Sequence, residues 1–243
     1  MRRCIDDYNM ISPGDSICVG VSGGKDSLSL LYVMSELRRF YPHPFTLKAV
    51  TLDMGFEGMD FSHLQAWCAA QSVELKIVPT DIKQVVFDIR KEKSPCSLCA
   101  KMRRGILHDA ALEMGCKKVA LGHHFDDAAE TYMMSLLFEG RIHCFTPVTY
   151  LDRRDITLIR PFLYIDEPTI TRFAQRNDLP VVHNPCTANG NTKRQEIKEL
   201  LAGMEQTYPE IKQKIIGAMQ SLPLKGWQVL GQVFSADQAP GAD

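Results

Sequence analysis

Apolar positions in this chain come in short continuous runs that alternate with stretches of helical period. Residues 17–21 form an apolar run that reads as a buried strand. After a turn at Ser22, Gly23 and Gly24, Leu28, Leu31 and Met34 recur at helical spacing until Tyr41 and Pro42. The alternation then repeats. A strand over 45–52 ends in Asp53-Met54-Gly55, a helix is predicted over 61–71, and a strand over 74–78 leads into a charged segment at 81–93. A helix over 97–114, a strand over 118–121 and a helix over 126–138 follow. Apolar strands alternating with helices predict an α/β fold with a doubly wound, mostly parallel sheet. Ligands of such sheets sit beyond the carboxyl ends of the strands, where the glycine turn, Asp53 and Gly122-His123 all converge.

The ends of the chain read differently. The first 15 residues look like a polar lead-in, with Pro13-Gly14-Asp15 turning into the first strand. Beyond Gly140, residues 157–163 have strand character broken by Pro161, and 166–177 read as a helix capped by Asp166 with Pro168 in its first turn. Two helices separated near Tyr208-Pro209 fill 192–220, and the polar tail from Ser235 is expected to be disordered. There is no internal repeat. The expected division is a sheet domain over 1–188 with a small C-terminal helical appendage and tail over 189–243.

Composition narrows the function. The 243 residues are 45% hydrophobic with a net charge of -1, and the pI is near 6.7. A chain so balanced does not coat nucleic acid by bulk electrostatics, so an RNA partner has to be met by a local patch. No apolar run is long enough to span a bilayer, and Met1-Arg2-Arg3-Cys4 lacks the apolar core of a signal peptide, so a cytoplasmic protein with no membrane partner is expected. Its eight cysteines are then thiols or ligands rather than disulfides.

The turn at Ser22-Gly23-Gly24-Lys25-Asp26-Ser27 has the makings of an anion cradle. Glycines let backbone N–H groups turn inward, the helix start adds its unpaired N–H groups and dipole, and Lys25 adds a full charge. It is not a Walker A loop: Val19 stands five before Gly24 where that loop has glycine, and Asp26 stands where Ser or Thr would hold magnesium. The segment resembles the SGGKDS pyrophosphate loop of the N-type ATP pyrophosphatases, the PP-loop enzymes with an adenine nucleotide alpha hydrolase-like fold, which cleave ATP between its α and β phosphates. On that resemblance Ser22, Gly23, Gly24, Lys25, Asp26, Ser27, Asp53, Gly122 and His123 are expected to bind ATP. Lys25, Asp26 and Asp127 are expected to be catalytic, with Asp26 or Asp127 holding Mg2+. For the cluster His123, His124, Asp126 and Asp127, helix capping by Asp126 is the plain alternative.

A second candidate site lies at Pro95-Cys96-Ser97-Leu98-Cys99, where two thiols at the start of a helix can face the same way. Such a pair suits a redox couple or half a zinc site. Adding Cys186, in the polar Asn184-Pro185-Cys186 segment, allows three thiolates, either with His183 as fourth ligand of a structural zinc or without one for a 4Fe-4S cluster that leaves an iron open. Cys18, Cys68, Cys116 and Cys144 sit among apolar neighbours and read as core. Lys101, Arg103, Arg104 and Arg160 are candidates for tRNA phosphates, or simply for a solvated face.

These cysteine segments resemble the TtcA family, the tRNA 2-thiocytidine synthetases. So do Leu121-Gly122-His123-His124-Phe125-Asp126-Asp127 with Glu130-Thr131, Ile159-Arg160-Pro161, and Lys193-Arg194. The likeness runs from about Tyr8 to about Met219. It implies a sulfurtransferase that adenylates the C2 carbonyl of an anticodon-loop cytidine and replaces its oxygen with sulfur, using ATP, Mg2+ and a 4Fe-4S cluster on Cys96, Cys99 and Cys186. It also implies tRNA, a sulfur donor such as a cysteine desulfurase, and a second copy of the chain as partners. Phe125 stands where family members commonly carry Arg. The rival readings are a PP-loop ligase or thiolase acting on another substrate, with structural zinc at the cysteines, and a nucleotide-binding module without catalysis.

Overall fold

A computed structural model of the chain describes residues 1–90, 95–182, 186, 193–221 and 227. Six strands form one sheet in the order β3-β2-β1-β4-β6-β5. β1 (Ser16–Val21) lies at its centre, parallel to β2 (Thr46–Asp53) on one side and to β4 (Lys118–Ala120) on the other. β3 (Glu74–Pro79) extends the first side and β6 (Ile156–Ile159) the second, both in parallel. The chain therefore reverses its direction of travel across the sheet between β1 and β4, the place where sheets of this kind hold their ligands at the carboxyl edge.

β1 is apolar on both faces because both are covered. Ile17 and Val19 point into the larger core, while Cys18 points to the opposite face with Val50, Val119, Ile156 and Leu158. That second face is covered by α4 (Pro95–Glu113) through Ala110 and Ala111. α4 runs antiparallel to β1: Leu107 lies over Gly20, whereas Cys116, just past the helix, reaches Ser16 at 3.2 Å. With a rise of 1.5 Å per residue, Cys99 lies about 12 Å beyond Leu107, so the first turns of α4 project past the carboxyl edge of the sheet.

The larger face is covered by α2 (Lys25–Leu37), α3 (Ser62–Ala70), α5 (Phe125–Glu139) and α6 (Glu167–Arg176). α7 (Lys193–Thr207) and α8 (Ile211–Ser221) join them. Ile197, Leu201, Ile216 and Met219 are buried in the same cluster as Leu28 and Leu31 of α2, so the C-terminal helices share the core of the sheet domain. α6 is capped as its sequence predicts, Asp166 accepting the Thr169 N–H at 3.1 Å. No helix among the described residues is long and apolar enough to cross a membrane.

Three elements differ from expectation. Residues Arg2–Asp7 form a helix, α1, rather than a polar lead-in. Its charges pair outward at i,i+4 (Arg2 with Asp6, Arg3 with Asp7), while Cys4 and Ile5 are fully buried. The charged segment after β3 contains a π-helical turn at Gln84–Ile89 that buries Val86. A sixth strand, β5 (Val148–Leu151), pairs antiparallel with β6 across the short helical turn Asp152–Arg154. It carries none of the Asn-Gly or Asp-Gly signals of a tight hairpin. The tail from Ser235 lies outside the described residues.

Cys18, Cys68, Cys116 and Cys144 are buried, as is Cys4. Burial pushes the thiols of Cys4 and Cys144 up to about 12 and that of Cys68 to about 11, so all three are protonated at neutral pH.

Leu201, fully buried in α7, tests whether the C-terminal helices are part of the cooperative unit. Leu201→Ala is expected to lower stability by about 2–5 kcal/mol, with helix signal and core fluorescence lost in one coincident urea transition. Two separated transitions would assign 189–243 a core of its own.

Candidate active site

Beyond β1 the chain turns through Ser22-Gly23-Gly24 and enters α2 at Lys25. Gly23 has φ +83°, and a Cβ there would lie 2.9 Å from Cβ of Val182, so both conformation and space call for glycine. The Val182 N–H donates to the Gly23 carbonyl at 2.9 Å and seats Val182 on the turn. Ser27 ties the loop together: its Oγ accepts the Ser22 N–H at 3.0 Å and donates to the Gly24 carbonyl at 3.0 Å. The N-cap of α2, Gly24, makes no side-chain cap bond, which leaves the first N–H groups of the helix for an anion.

Gly122, which follows β4, is pressed onto this loop. A Cβ on Gly122 would lie 3.1 Å from backbone atoms of Asp26 and Ser27. His124 is the N-cap of α5: its imidazole accepts the Asp127 N–H, and Asp127 Oδ2 accepts the His124 N–H at 3.0 Å in return. Helix capping, the plain alternative for Asp126, is thus done by His124. Asp126 is instead 4% exposed and accepts the backbone N–H of Glu167 at 2.7 Å and the ammonium of Lys212 at 2.6 Å. Burial raises its pKa, but those two donors outweigh it and hold the carboxyl below the usual range.

The charges at this edge form a continuous network. Lys25 Nζ lies 2.9 Å from Asp26 Oδ1 and 3.0 Å from Glu167 Oε1, and the other oxygen of Glu167 accepts from Lys198 at 2.6 Å. Burial lowers the Lys25 pKa, yet its hydrogen bonds to Asp26 and Glu167 raise it further. Burial works upward on Glu167, but Lys198 and Lys25 hold it at about 2. Arg194, in the first turn of α7, donates to Asp127 at 3.2 Å, to Glu130 at 3.0 Å and to Thr131 at 3.1 Å. Glu130 is buried, and its desolvation keeps the pKa above normal despite Arg194. Asp26 and Asp127, the expected magnesium ligands, thus each hold a cation of the chain itself.

His123 and Arg160 form a second buried group. Arg160 Nε donates to His123 Nδ1 at 3.3 Å, and its Nη1 donates to the Thr146 carbonyl and the Thr149 hydroxyl. His123 stacks on Phe145, over which the guanidinium also lies at 4.9 Å. Burial, then Arg160, push the His123 pKa down to about 3, so the ring is neutral and carries its proton on Nε2. Arg160, 6% exposed, is therefore an internal strut and not one of the surface cations expected to meet RNA phosphates. Lys101 and Arg104 are exposed on α4, with Arg103 half-buried between them.

Asp53, at the end of β2, folds back to accept the Gly55 N–H at 3.0 Å. Beside it a cavity of about 710 Å³ is lined by Met54, Gly55, Thr80, Lys83 and Ile106 among others. Cys96 is exposed and Cys99 half-buried in the projecting first turns of α4, and Cys186 is half-buried. Burial raises the Cys99 thiol; Arg103 works against that, while Cys186 and Cys96 add to it. Among the described residues, no three His, Cys, Asp or Glu side chains stand together in metal-holding geometry. His183 lies outside them.

Glu167, Lys198 and Lys212 were not singled out from the sequence. A weak signal was present on α7: Arg194, Lys198 and Leu201 share one helical face, which puts two cations in line with a buried residue.

The PP-loop domain family matches residues 2–204. The tRNA-cytidine(32) 2-sulfurtransferase of Geobacter sulfurreducens is 36% identical over 220 residues, spanning 89% of this chain and 86% of that protein. The enzyme of the same name from Yersinia enterocolitica is 38% identical over 222 residues, spanning 90% and 71%. Among solved structures, the U34-tRNA thiolase NcsA from Methanococcus maripaludis, determined with its [4Fe-4S] cluster, superposes with a TM-score of 0.73 at 26% identity, covering 89% of this chain and 75% of that one. The chain belongs to the PP-loop domain family and, within it, to the TtcA family of tRNA-cytidine(32) 2-sulfurtransferases.

Proposed function

We propose that this protein thiolates a cytidine in the anticodon loop of tRNA, spending ATP to AMP and pyrophosphate. The observation that supports the reading is the glycine turn between β1 and α2 at the carboxyl edge of the sheet, with Cys96 and Cys99 on the turns of α4 that project past the same edge. Relatives that match the chain over most of its length bear the same activity in their names.

The chemistry follows from what each group does. An amide-like carbonyl oxygen is a poor leaving group. Attack of the cytidine O2 on the α-phosphorus of ATP forms an O–P bond and breaks the bond to the β-phosphate, which turns that oxygen into part of a good leaving group. Pyrophosphate departs into the loop, where the N–H groups at the start of α2 and the Lys25 ammonium meet the charge that develops. Asp26 offers hard oxygen for Mg2+ on the phosphates, and Asp127 joins it when Arg194 yields an oxygen. A sulfur nucleophile then adds at C2 and AMP leaves. Ser22, Gly23, Gly24 and Ser27 hold the triphosphate, and Asp53, Gly122 and His123 line the adjoining strand ends.

Cys96, Cys99 and Cys186 fit a 4Fe-4S cluster by donor chemistry alone: they are three soft thiols that keep access to solvent. When bound, such a cluster supplies an iron without a cysteine ligand, at which sulfide is handled. Lys101, Arg103 and Arg104 follow the cysteines along α4 and suit the phosphates of a tRNA delivered to that end. A cysteine desulfurase or another sulfide source as donor, a cytoplasmic setting and assembly as a homodimer complete the reading.

The direct test is anaerobic incubation of the holoprotein with tRNA, Mg2+, ATP and sulfide, followed by mass analysis of the digested nucleosides. A cytidine heavier by exchange of one oxygen for sulfur, formed with AMP, is the expected product; AMP without a thiolated nucleoside would move the reading to a PP-loop ligase.

Iron and acid-labile sulfide are expected at about four each per chain, lost in Cys186→Ala while ATP binding persists. One zinc and no iron in the anaerobic protein would overturn the cluster assignment. Lys25→Ala is expected to cut ATP turnover to AMP by about 10²–10³-fold without loss of folded structure, measured by pyrophosphate release.

A further inference from the structure

Lys25, the cation of the glycine turn, is bonded to carboxylates of the chain itself. Lys25 Nζ lies 3.0 Å from Glu167, and Glu167 divides its two oxygens between Lys25 and Lys198, the latter at 2.6 Å. This row joins the first turns of α2 and α6 to the second turn of α7. Glu167 itself is pinned: its N–H donates to Asp126, Asp126 is held by Lys212, and Asp166 caps the helix on which Glu167 is the first residue. When Lys25 moves toward a phosphate, Glu167 stays behind, still compensated by Lys198.

We propose that Glu167 is a positioning residue that parks Lys25 away from the phosphates, and that Lys198 sets the strength of this hold by sharing the Glu167 charge. The proposal rests on the ATP reading above and adds to it a device that trades nucleotide affinity against pyrophosphate release. Two ammonium groups on one carboxylate repel each other, which offsets part of its attraction for each. Removing the Glu167 charge loosens the hold on Lys25, leaving it the Asp26 carboxylate. Removing Lys198 gives Lys25 the whole carboxylate and holds it harder. The two changes act in opposite directions, whereas simple damage to the α6–α2 packing weakens binding in both cases.

The test measures equilibrium binding of Mg2+ with α,β-methylene-ATP, and of inorganic pyrophosphate, to the wild-type protein, Glu167→Gln, Lys198→Met and the double variant. Glu167→Gln is expected to bind both probes about threefold more tightly and Lys198→Met about threefold more weakly, the size of a half-exposed ion pair. In ATP turnover, Glu167→Gln is expected to lower KM and kcat together as pyrophosphate is retained. Lys198→Met added to Glu167→Gln is expected to change nothing further, because Lys198 acts through Glu167. Glu167→Gln that binds no tighter, or a Lys198→Met effect that persists undiminished in the double variant, overturns the parking role while wild-type binding upholds the ATP reading. A wild-type protein that binds neither probe overturns the ATP reading and the proposal with it.

Discussion

Carboxylates crowd the carboxyl edge of this sheet, and each needs a cation. Asp126 and Glu130 are nearly inaccessible to water, and Asp26, Asp127 and Glu167 surround them. An uncompensated charge at such depth costs several kcal/mol, so the acids could not be gathered there unless Lys25, Arg194, Lys198 and Lys212 were brought to meet them. Three of those four cations come from α7 and α8. The last helices of the chain are therefore part of the site as well as of the core.

The same edge separates two kinds of chemistry without separating them far. The loops that follow β1 and β4 approach so closely that a Cβ on Gly122 would crowd the backbone of Asp26 and Ser27 at 3.1 Å. On the opposite face α4 overshoots the sheet and carries Cys96 and Cys99 past it. The Val182 N–H on the Gly23 carbonyl seats Val182 on the glycine turn. The phosphate cradle and the Cys96–Cys99 end of α4 thus lie at one edge of the sheet.

Burial sorts the eight cysteines. Five lie within the protein, four of them with thiols pushed so high by burial that they remain protonated and inert. Cys96, Cys99 and Cys186 keep access to solvent. The His123–Arg160 pair shows the same sorting of cations. A guanidinium stacked on Phe145 and bonded to a neutral imidazole stiffens the loop after β4, leaving the outer surface of α4 to Lys101 and Arg104.

The sequence by itself determined what is encoded locally. Apolar runs bounded by turns defined five of the six strands, the helical period defined most helices, and Asp166 with Pro168 marked the start of α6. The Ser22–Ser27 segment announced a phosphate loop because no unliganded turn has a use for its glycines, lysine and aspartate together. The family resemblance and the roles of Cys96, Cys99 and Cys186 rest on such short motifs. Only the tertiary structure decided whatever depends on partners distant in the chain. α1 hid behind charges that pair on its outer side, and β5 exists because β6 offers it an edge. Arg160 looked like a surface cation until Phe145, His123 and Thr146 enclosed it. Glu167, Lys198 and Lys212 are ordinary helix charges in one dimension. They become a relay when packing lays α6, α7 and α8 against the start of α2 and α5, since a charge acquires its role from the distance to its partner and from the water excluded between them.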